Sequence, residues 1–434
     1  MVWGGRMSDD VWSWLDSLKA FGYNPSLENT STLLERLDLP QNTFPAVHIA
    51  GSNGKGTCCA ILANAFTLSG KCTGLFTSPH LSHVNERVRI DGSPISSDLF
   101  EDCLKQIQEV CKTKPEVSPT FYEATFLVAM LAFRNQGVDR AVIETGLGGR
   151  WDATRLVNAD CCILTKISLE HTDVLGDSLE QIAREKAAIV RPNYPIVVLE
   201  NSSEEVNRAI TETVHSSSQI SWVDDNYRDY YDTAKELAKS ALDAMNLPHI
   251  SEIIDSAALK TIWPGRNELI HLESNEIYDG NIHLILDGAH NPDGMKTVLN
   301  NLYDKMHPDV ILFGCTQQSN LQDFLEPLIE FIQYSEVKKL IITEPVGGRQ
   351  SPVPASEIFD TIDSSNQNKN WFAEFRIDGI EVIPNIRQAF EKAKKFAFNI
   401  NQERYPVLFC TGSLYLIGKI RELSGKDPGV ILGD

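Results

Sequence analysis

The densest chemistry in the sequence lies in Gly51-Ser52-Asn53-Gly54-Lys55-Gly56-Thr57, a glycine-rich turn between a strand-like run at 46–50 and a helix-like stretch over 57–68. Residues of these types at such a junction suit phosphate. Backbone N–H groups and the helix N-terminus can surround phosphate oxygens, and Lys55 can reach the outer phosphates of a nucleotide. The glycines are needed because a side chain would hold the backbone away from the ligand, and some of these turns need a positive φ. The spacing departs from the common phosphate loop, since two residues separate Gly51 from Gly54 and Gly56 stands between Lys55 and Thr57. On this segment alone a tight glycine turn with an exposed lysine stays open as the alternative.

The elements that must position this loop read as α/β. Apolar runs at 141–143, 161–167 and 196–199 alternate with helical stretches such as 123–134 and 179–190, the pattern of a parallel sheet covered by helices. A second series follows Trp263-Pro264-Gly265-Arg266, with strands at 282–286, 310–313, 339–343 and 407–410. A chain of 434 residues exceeds one compact core, so two domains are expected, 1–266 and 267–434. The polar stretch 363–370 reads as a surface loop. In open α/β sheets ligands sit at the carboxyl ends of the strands, where Lys55, Glu144 and Asp287 fall.

Composition narrows the function classes. Hydrophobic residues at 42% and charged residues at 23% exclude a disordered or fibrous chain. The formal charge is −20, with 59 acidic against 39 basic side chains, which disfavours nucleic acid and anionic membrane as partners. Nine cysteines without a C-x-x-C, including the adjacent pairs Cys58-Cys59 and Cys161-Cys162, read as reduced, mostly buried thiols. The start lacks a basic end followed by an apolar run, and the apolar stretch 124–133 is too short to span a bilayer, so a cytoplasmic location is expected.

Five segments of the first half, HIAGSNGKGT, TSPHLSHVNERVRIDG, ETGLGGRWDATR, SLEHTDVLG and REKAAIV, precede WPGR, ILDGAHNPDG and TGSLYLIG in the second. In order and spacing the chain resembles the folylpolyglutamate synthase and dihydrofolate synthase family, Mur-ligase-like enzymes, from about Leu27 to about Gly418. The resemblance implies a P-loop ATPase domain with a mostly parallel sheet and a smaller Rossmann-like C-terminal glutamate domain, with the active site in the cleft between them. It implies ATP-dependent ligation of L-glutamate to dihydropteroate or a reduced folate through an acyl phosphate, with ATP and Mg²⁺ as cofactors. By the same resemblance Lys55, Glu144, His171 and Lys186 carry catalysis. Gly51, Ser52, Asn53, Gly54, Lys55, Gly56 and Thr57 would bind the nucleotide, with Arg266, Asp287 and His290 from the second domain. Thr57, Ser78, Glu144, His171 and Lys186 would form the metal set, the lysine as a carbamate made with CO₂. A sparse oxygen-rich set suits magnesium, which keeps several waters.

Each residue also has a plainer reading. Glu144 closes an apolar strand and could be an exposed carboxylate, His171 a core histidine, and Ser78 a turn or helix-cap serine. Lys186 could be a solvated helical lysine, and DGAHNPDG a strand-ending turn. Glu123 reads equally as a helix N-terminal carboxylate or a substrate contact, and Arg87, Arg89 and Arg150 as local positive charge. Cys58 and Cys59 stand at a helix start, with burial favoured over reactivity.

Three segments depart from the family pattern. WVDDNYRDYYDTA stands where an H-Q-x-x-N-A motif recognises adenine, GCTQQSN where an aspartate-lysine-aspartate segment is common, and Arg155 ends DATR in place of DATN. These leave adenine recognition and the glutamate-side contacts open. The rival expectations are a Mur-type ligase acting on a non-folate acid and a non-catalytic ATP-binding descendant. A monomer is the expected state.

Overall fold

Eight strands share the first sheet: β1 (Ala46–Ala50), β2 (Thr73–Phe76), β3 (Val88–Ile90), β4 (Ser93–Pro94), β5 (Arg140–Glu144), β6 (Ala159–Leu164), β7 (Ile196–Leu199) and β8 (Ile220–Val223). Their order is β4-β3-β2-β5-β1-β6-β7-β8. The pairs from β2 to β8 are parallel, while β3 and β4 add an antiparallel edge. All residues of β1 and β7 are buried, so both strands are covered on two faces and neither alternates; His48 in β1 is the one polar residue among them.

The computed structural model describes residues 9–20, 22, 25–226, 229–273, 280–347, 351–367, 379–400, 403–426, 429 and 431–433. Two units result, Met1–Ile262 with Val430–Asp434, and Trp263–Gly429. Trp263-Pro264-Gly265-Arg266 thus lies in the second unit, and the C-terminal residues lie in the first. Ile431 donates its N–H to Gly92 O (3.1 Å) and accepts from Ile262 N (2.9 Å) and Asn64 Nδ2 (3.0 Å).

The second sheet holds β9 (Glu268–Leu272), β10 (Ile282–Asp287), β11 (Val310–Phe313), β12 (Lys339–Ile342), β13 (Ile380–Val382) and β14 (Val407–Thr411), in the order β13-β12-β11-β14-β10-β9. Only β9 runs antiparallel among these strands. The α/β class and the mostly parallel sheets expected from the sequence are present. The short antiparallel strands β3, β4 and β9 were outside that expectation.

Local chemistry sets the helix starts. The helix Lys55–Leu68 begins two residues earlier than its apolar pattern because Gly54, at φ +86°, takes the left-handed cap position. The helix Phe121–Asn135 opens with a capping box, in which the Thr120 side chain accepts from Glu123 N–H and the Glu123 carboxylate accepts from Thr120 N–H. The helix Ala355–Gln367 takes in residues 363–367, which the polar composition had placed in a loop; residues 368–370 lie outside the described residues. No helix among the described residues is long and apolar enough to cross a membrane.

Candidate active site

Strand register brings the first unit's site residues to one edge. Ile49 pairs with Glu144, Ala50 with Leu164, and Phe76 with Ile143, so the segments after β1, β2, β5 and β6 leave the sheet side by side. These segments hold Gly51, Ser78, Thr145 and Lys166. A parallel sheet with its turns at one end is the arrangement that makes such an edge a binding site.

The Gly51–Thr57 loop is shaped by contacts with the segment after β6. Ser52 N–H donates to Lys166 O (2.7 Å), and the Ser52 hydroxyl to Ser168 O (3.0 Å). Asn53 Nδ2 donates to Ser168 Oγ (3.0 Å) and the Thr165 hydroxyl to Asn53 O (2.8 Å). Gly51 sits at φ +147°, and a Cβ there would run into the Thr165 hydroxyl. Gly54, by contrast, faces open space, with nothing within 4 Å of where its Cβ would be. It provides no side-chain cap, so the first-turn N–H groups of a 14-residue helix are left to an external acceptor. Thr57 is buried in that first turn. Lys55 Nζ donates back to Gly51 O (2.8 Å) and Ser52 O (3.0 Å).

Lys186, on the helix Leu179–Ala187, is 2% exposed and reaches the same loop. Its Nζ donates to Gly51 O (2.9 Å) and to Glu170 Oε1 (2.6 Å). Burial lowers the Lys186 pKa, with Glu170 acting against that shift and Lys55 adding to it. Burial would also raise the Glu170 carboxyl, but the charges of Lys186 and Lys55 outweigh it and hold Glu170 down to about 2. Lys186 is therefore not the solvated helical lysine of the plainer reading.

Glu144 ends β5 at 5% exposure, and its Oε2 accepts from Ser78 N–H (2.9 Å). The plain alternative of an exposed carboxylate does not hold. The loop after it packs tightly: a Cβ on Gly146 would strike the Tyr122 ring at 2.5 Å, and one on Gly149 would lie 2.7 Å from Glu185 O and 2.9 Å from Lys186 O. His171 stands exposed in the left-handed region (φ +46°) as the N-terminal residue of the helix Thr172–Leu175, so it is no core histidine.

The other charged candidates have structural partners. Glu123 accepts from the Thr30 hydroxyl (2.8 Å) as well as closing its capping box. Arg87 Nε donates to His80 Nδ1 (3.0 Å), Arg89 Nη1 to Gly92 O (3.3 Å), and Arg150 Nε to Glu185 Oε1 (2.9 Å). Arg155 Nε donates to Ala188 O (2.9 Å), joining its loop to the end of the lysine-bearing helix. Cys58 and Cys59 are fully buried, and burial pushes the Cys58 thiol up to about 12, which leaves it no reactive character at neutral pH.

In the second unit Asp287 ends β10, buried to 4%. Its carboxylate accepts from Asn267 N–H (2.8 Å) and Ala289 N–H (2.9 Å). His290 is exposed, with Nδ1 2.9 Å from Gly288 O. A Cβ on Gly288 would lie 3.1 Å from Arg266 Nη1, so Arg266, Asp287 and His290 converge on one turn. Within GCTQQSN, Gln318 Nε2 donates to Thr316 O (3.0 Å) and Gln317 N–H to Ser351 O (3.1 Å). Of the segment 222–234, residues 227 and 228 lie outside the described residues; Tyr230–Ala244 is a helix.

Four residues of the first unit's site were not singled out from the sequence: Glu170, Asp152, Ser168 and His48. The signal available for Glu170 was its place beside His171, and for Asp152 its place after the glycines. His48 opens the HIAGSNGKGT segment, but as a single polar residue in a strand it carried no sign of the partners it meets.

The donor set fits a nucleotide with magnesium. The helix start without a side-chain cap and the open face at Gly54 have the N–H donors and the room that a phosphate needs, and Glu144 with the hydroxyls of Thr57 and Ser78 offers hard oxygen donors. Among the described residues no three His, Cys, Asp or Glu side chains gather as a metal cage.

Residues 49–257 match the Mur ligase middle domain and residues 265–410 the Mur ligase glutamate ligase domain. The chain is 28% identical to a dihydrofolate synthetase of Saccharomyces cerevisiae over 426 residues, covering 91% of this chain and 96% of that protein. It is 32% identical to a probable dihydrofolate synthetase of Schizosaccharomyces pombe over 300 residues, covering 62% and 69%. The fold is similar to that of Mycobacterium tuberculosis folylpolyglutamate synthase complexed with ADP, at a TM-score of 0.82 and 23% identity over 96% of this chain and 98% of that one. The chain belongs to the dihydrofolate synthase and folylpolyglutamate synthase family of ATP-dependent Mur-type ligases.

Proposed function

We propose that this ligase joins L-glutamate to dihydropteroate, to a reduced folate, or to both, activating the acceptor's carboxylate as an acyl phosphate. The observation that carries the reading is the uncapped, glycine-lined helix start of Lys55–Leu68 on the same sheet edge as the buried carboxylate Glu144. A carboxylate does not react with an amine at neutral pH until its oxygen becomes a leaving group, and phosphoryl transfer from ATP provides that. Bound magnesium supplies charge neutralisation for the transfer.

The chain's own residues divide the work. The N–H groups of Gly51–Thr57 and the Lys55 amine bind phosphate, while Thr57, Ser78, Glu144 and His171 hold the cation. Arg266, Asp287 and His290 supply the second unit's nucleotide contacts. A carbamate on Lys186 is supported by the lowered pKa of the amine, since only neutral amine reacts with CO₂; its formation would exchange the contact with Glu170. Intact mass in bicarbonate tests it, with an added CO₂ on the wild type and none on Lys186→Arg. The activity is assigned to a single chain, which light scattering during turnover conditions would check.

Phosphate release from ATP is the direct test, with magnesium and glutamate and with dihydropteroate, tetrahydrofolate or no acceptor. The expected result is acceptor-dependent release that falls to background in Lys55→Ala. Release with neither acceptor above that background would sink the folate assignment and turn attention to another acid.

A further inference from the structure

His48 lies in the middle of β1 and is fully buried. Its Nε2 is 2.8 Å from Thr154 Oγ1 and 3.0 Å from Thr145 Oγ1. These two threonines bracket the loop that follows Glu144: Thr145 is the next residue, and Thr154 closes the turn that Asp152 begins. Between them Asp152 gathers five donors, the N–H groups of Gly146 (3.0 Å), Leu147 (2.9 Å) and Thr154 (3.0 Å) and the hydroxyls of Tyr122 (2.9 Å) and Thr154 (2.5 Å).

The pattern determines the proton on His48. The Thr154 hydroxyl commits its one hydrogen to the Asp152 carboxylate, so toward His48 it accepts. Nε2 therefore carries the ring's one hydrogen, which it donates to Thr154 Oγ1 and shares with the more distant Thr145 Oγ1. Nδ1, which has no hydrogen-bond partner, is left as a bare lone pair, a smaller loss than an unpaired N–H. The ring is a neutral donor that ties both ends of the 145–154 loop to the central strand.

We propose that His48 is a positioning residue for the metal carboxylate, fixing Glu144 through Thr145 and, through Thr154 and Asp152, the glycine loop that separates Glu144 from the Lys186 helix. The inference rests on the reading of Glu144 as a ligand of the divalent cation. Partners that orient ligands from behind commonly change metal affinity by 10- to 100-fold. Removing the imidazole donor releases the Thr145 and Thr154 hydroxyls, while the backbone bond from Thr145 N–H to Ile49 O (2.9 Å) and the phosphate loop's own contacts, to Lys166 and Ser168, stay in place.

The test is Mn²⁺ affinity read by electron paramagnetic resonance in the presence of a non-hydrolysable ATP analogue, alongside thermal unfolding. His48→Leu should weaken Mn²⁺ binding about 10-fold with nucleotide affinity unchanged, and His48→Gln, whose amide can place a donor near Nε2, should restore most of it. Thr145→Val removes one arm of the clamp and carries the test if His48→Leu does not fold. A folded His48→Leu or Thr145→Val that binds Mn²⁺ as the wild type does, whatever its thermal stability, overturns the proposal. Glu144→Gln separates the two levels: if it binds Mn²⁺ normally, the metal reading itself fails, and the positioning role with it.

Discussion

The ion pair between Glu268 and Arg421 offers the sharpest test of how the second unit holds its site. Arg421 Nε donates to Glu268 Oε2 (2.8 Å) and Oε1 (3.1 Å), with side chains 5% and 7% exposed. Glu268 also accepts from Gly265 N–H (2.8 Å), and Gly265 O accepts from Gly288 N–H (2.9 Å), so the pair underlies the turn carrying Arg266. Arg421→Met would strand a buried carboxylate with that one N–H. Breaking a buried pair by removing one partner costs about 3–5 kcal/mol, a large part of an ordinary domain's stability of roughly 5–15 kcal/mol. Glu268→Leu with Arg421→Met removes both charges. It should recover to within about 2 kcal/mol of wild type, the remainder being the unpaired Gly265 N–H. Urea unfolding at pH 7, followed by circular dichroism in the four members of the cycle, gives the coupling directly. High salt should change it little, because buried pairs are screened less than surface ones. A loss below about 1 kcal/mol for Arg421→Met, or a double variant equal to the sum of the singles, would refute the reasoning.

Other perturbations have equally definite outcomes. Gly51→Ala drives a methyl into the Thr165 hydroxyl at a backbone angle that alanine rarely adopts, so nucleotide binding measured by calorimetry should be lost; near-normal affinity would show that the loop relaxes freely. Glu170 has its carboxyl depressed to about 2 by the lysines, so its stabilisation is complete above the ordinary carboxylate range and is lost as pH falls toward about 2. Glu170→Gln should therefore cost about 3 kcal/mol at pH 7, with the gap to wild type narrowing below about pH 4.5; a gap independent of pH would exclude this. Asn64→Leu removes the bonds from Nδ2 to Thr261 Oγ1 (2.9 Å) and Ile431 O (3.0 Å) from a fully buried position, and should lower stability by about 2 kcal/mol in thermal unfolding. Unchanged stability would show that the C-terminal residues do not need this anchor.

The sequence alone settled the fold class and the family, because both rest on local signals. Unbroken apolar runs such as Ile196–Leu199 specify strands buried on two faces, and Gly51 and Gly54, both at positive φ, specify a turn that suits few other residue types. It also brought forward Lys55, Glu144, His171 and Lys186, since each stands in a motif at the end of an element. The tertiary structure decided what those residues touch. Glu170 meets Lys186 across 16 positions, and Lys186 meets Gly51 across 135. His48 meets Thr154 across 106, and Asn64 meets Ile431 across 367. It also gave Glu123 to a helix cap and buried Arg89, both of which the sequence had left as candidate substrate contacts or free charge. The physical reason is that a hydrogen bond inside a core depends on which strands lie side by side, and the crossovers that bring β1 between β5 and β6 leave no mark in local composition. A buried polar side chain looks the same in sequence whether it caps a helix, braces a ligand or orients the residue that does the chemistry.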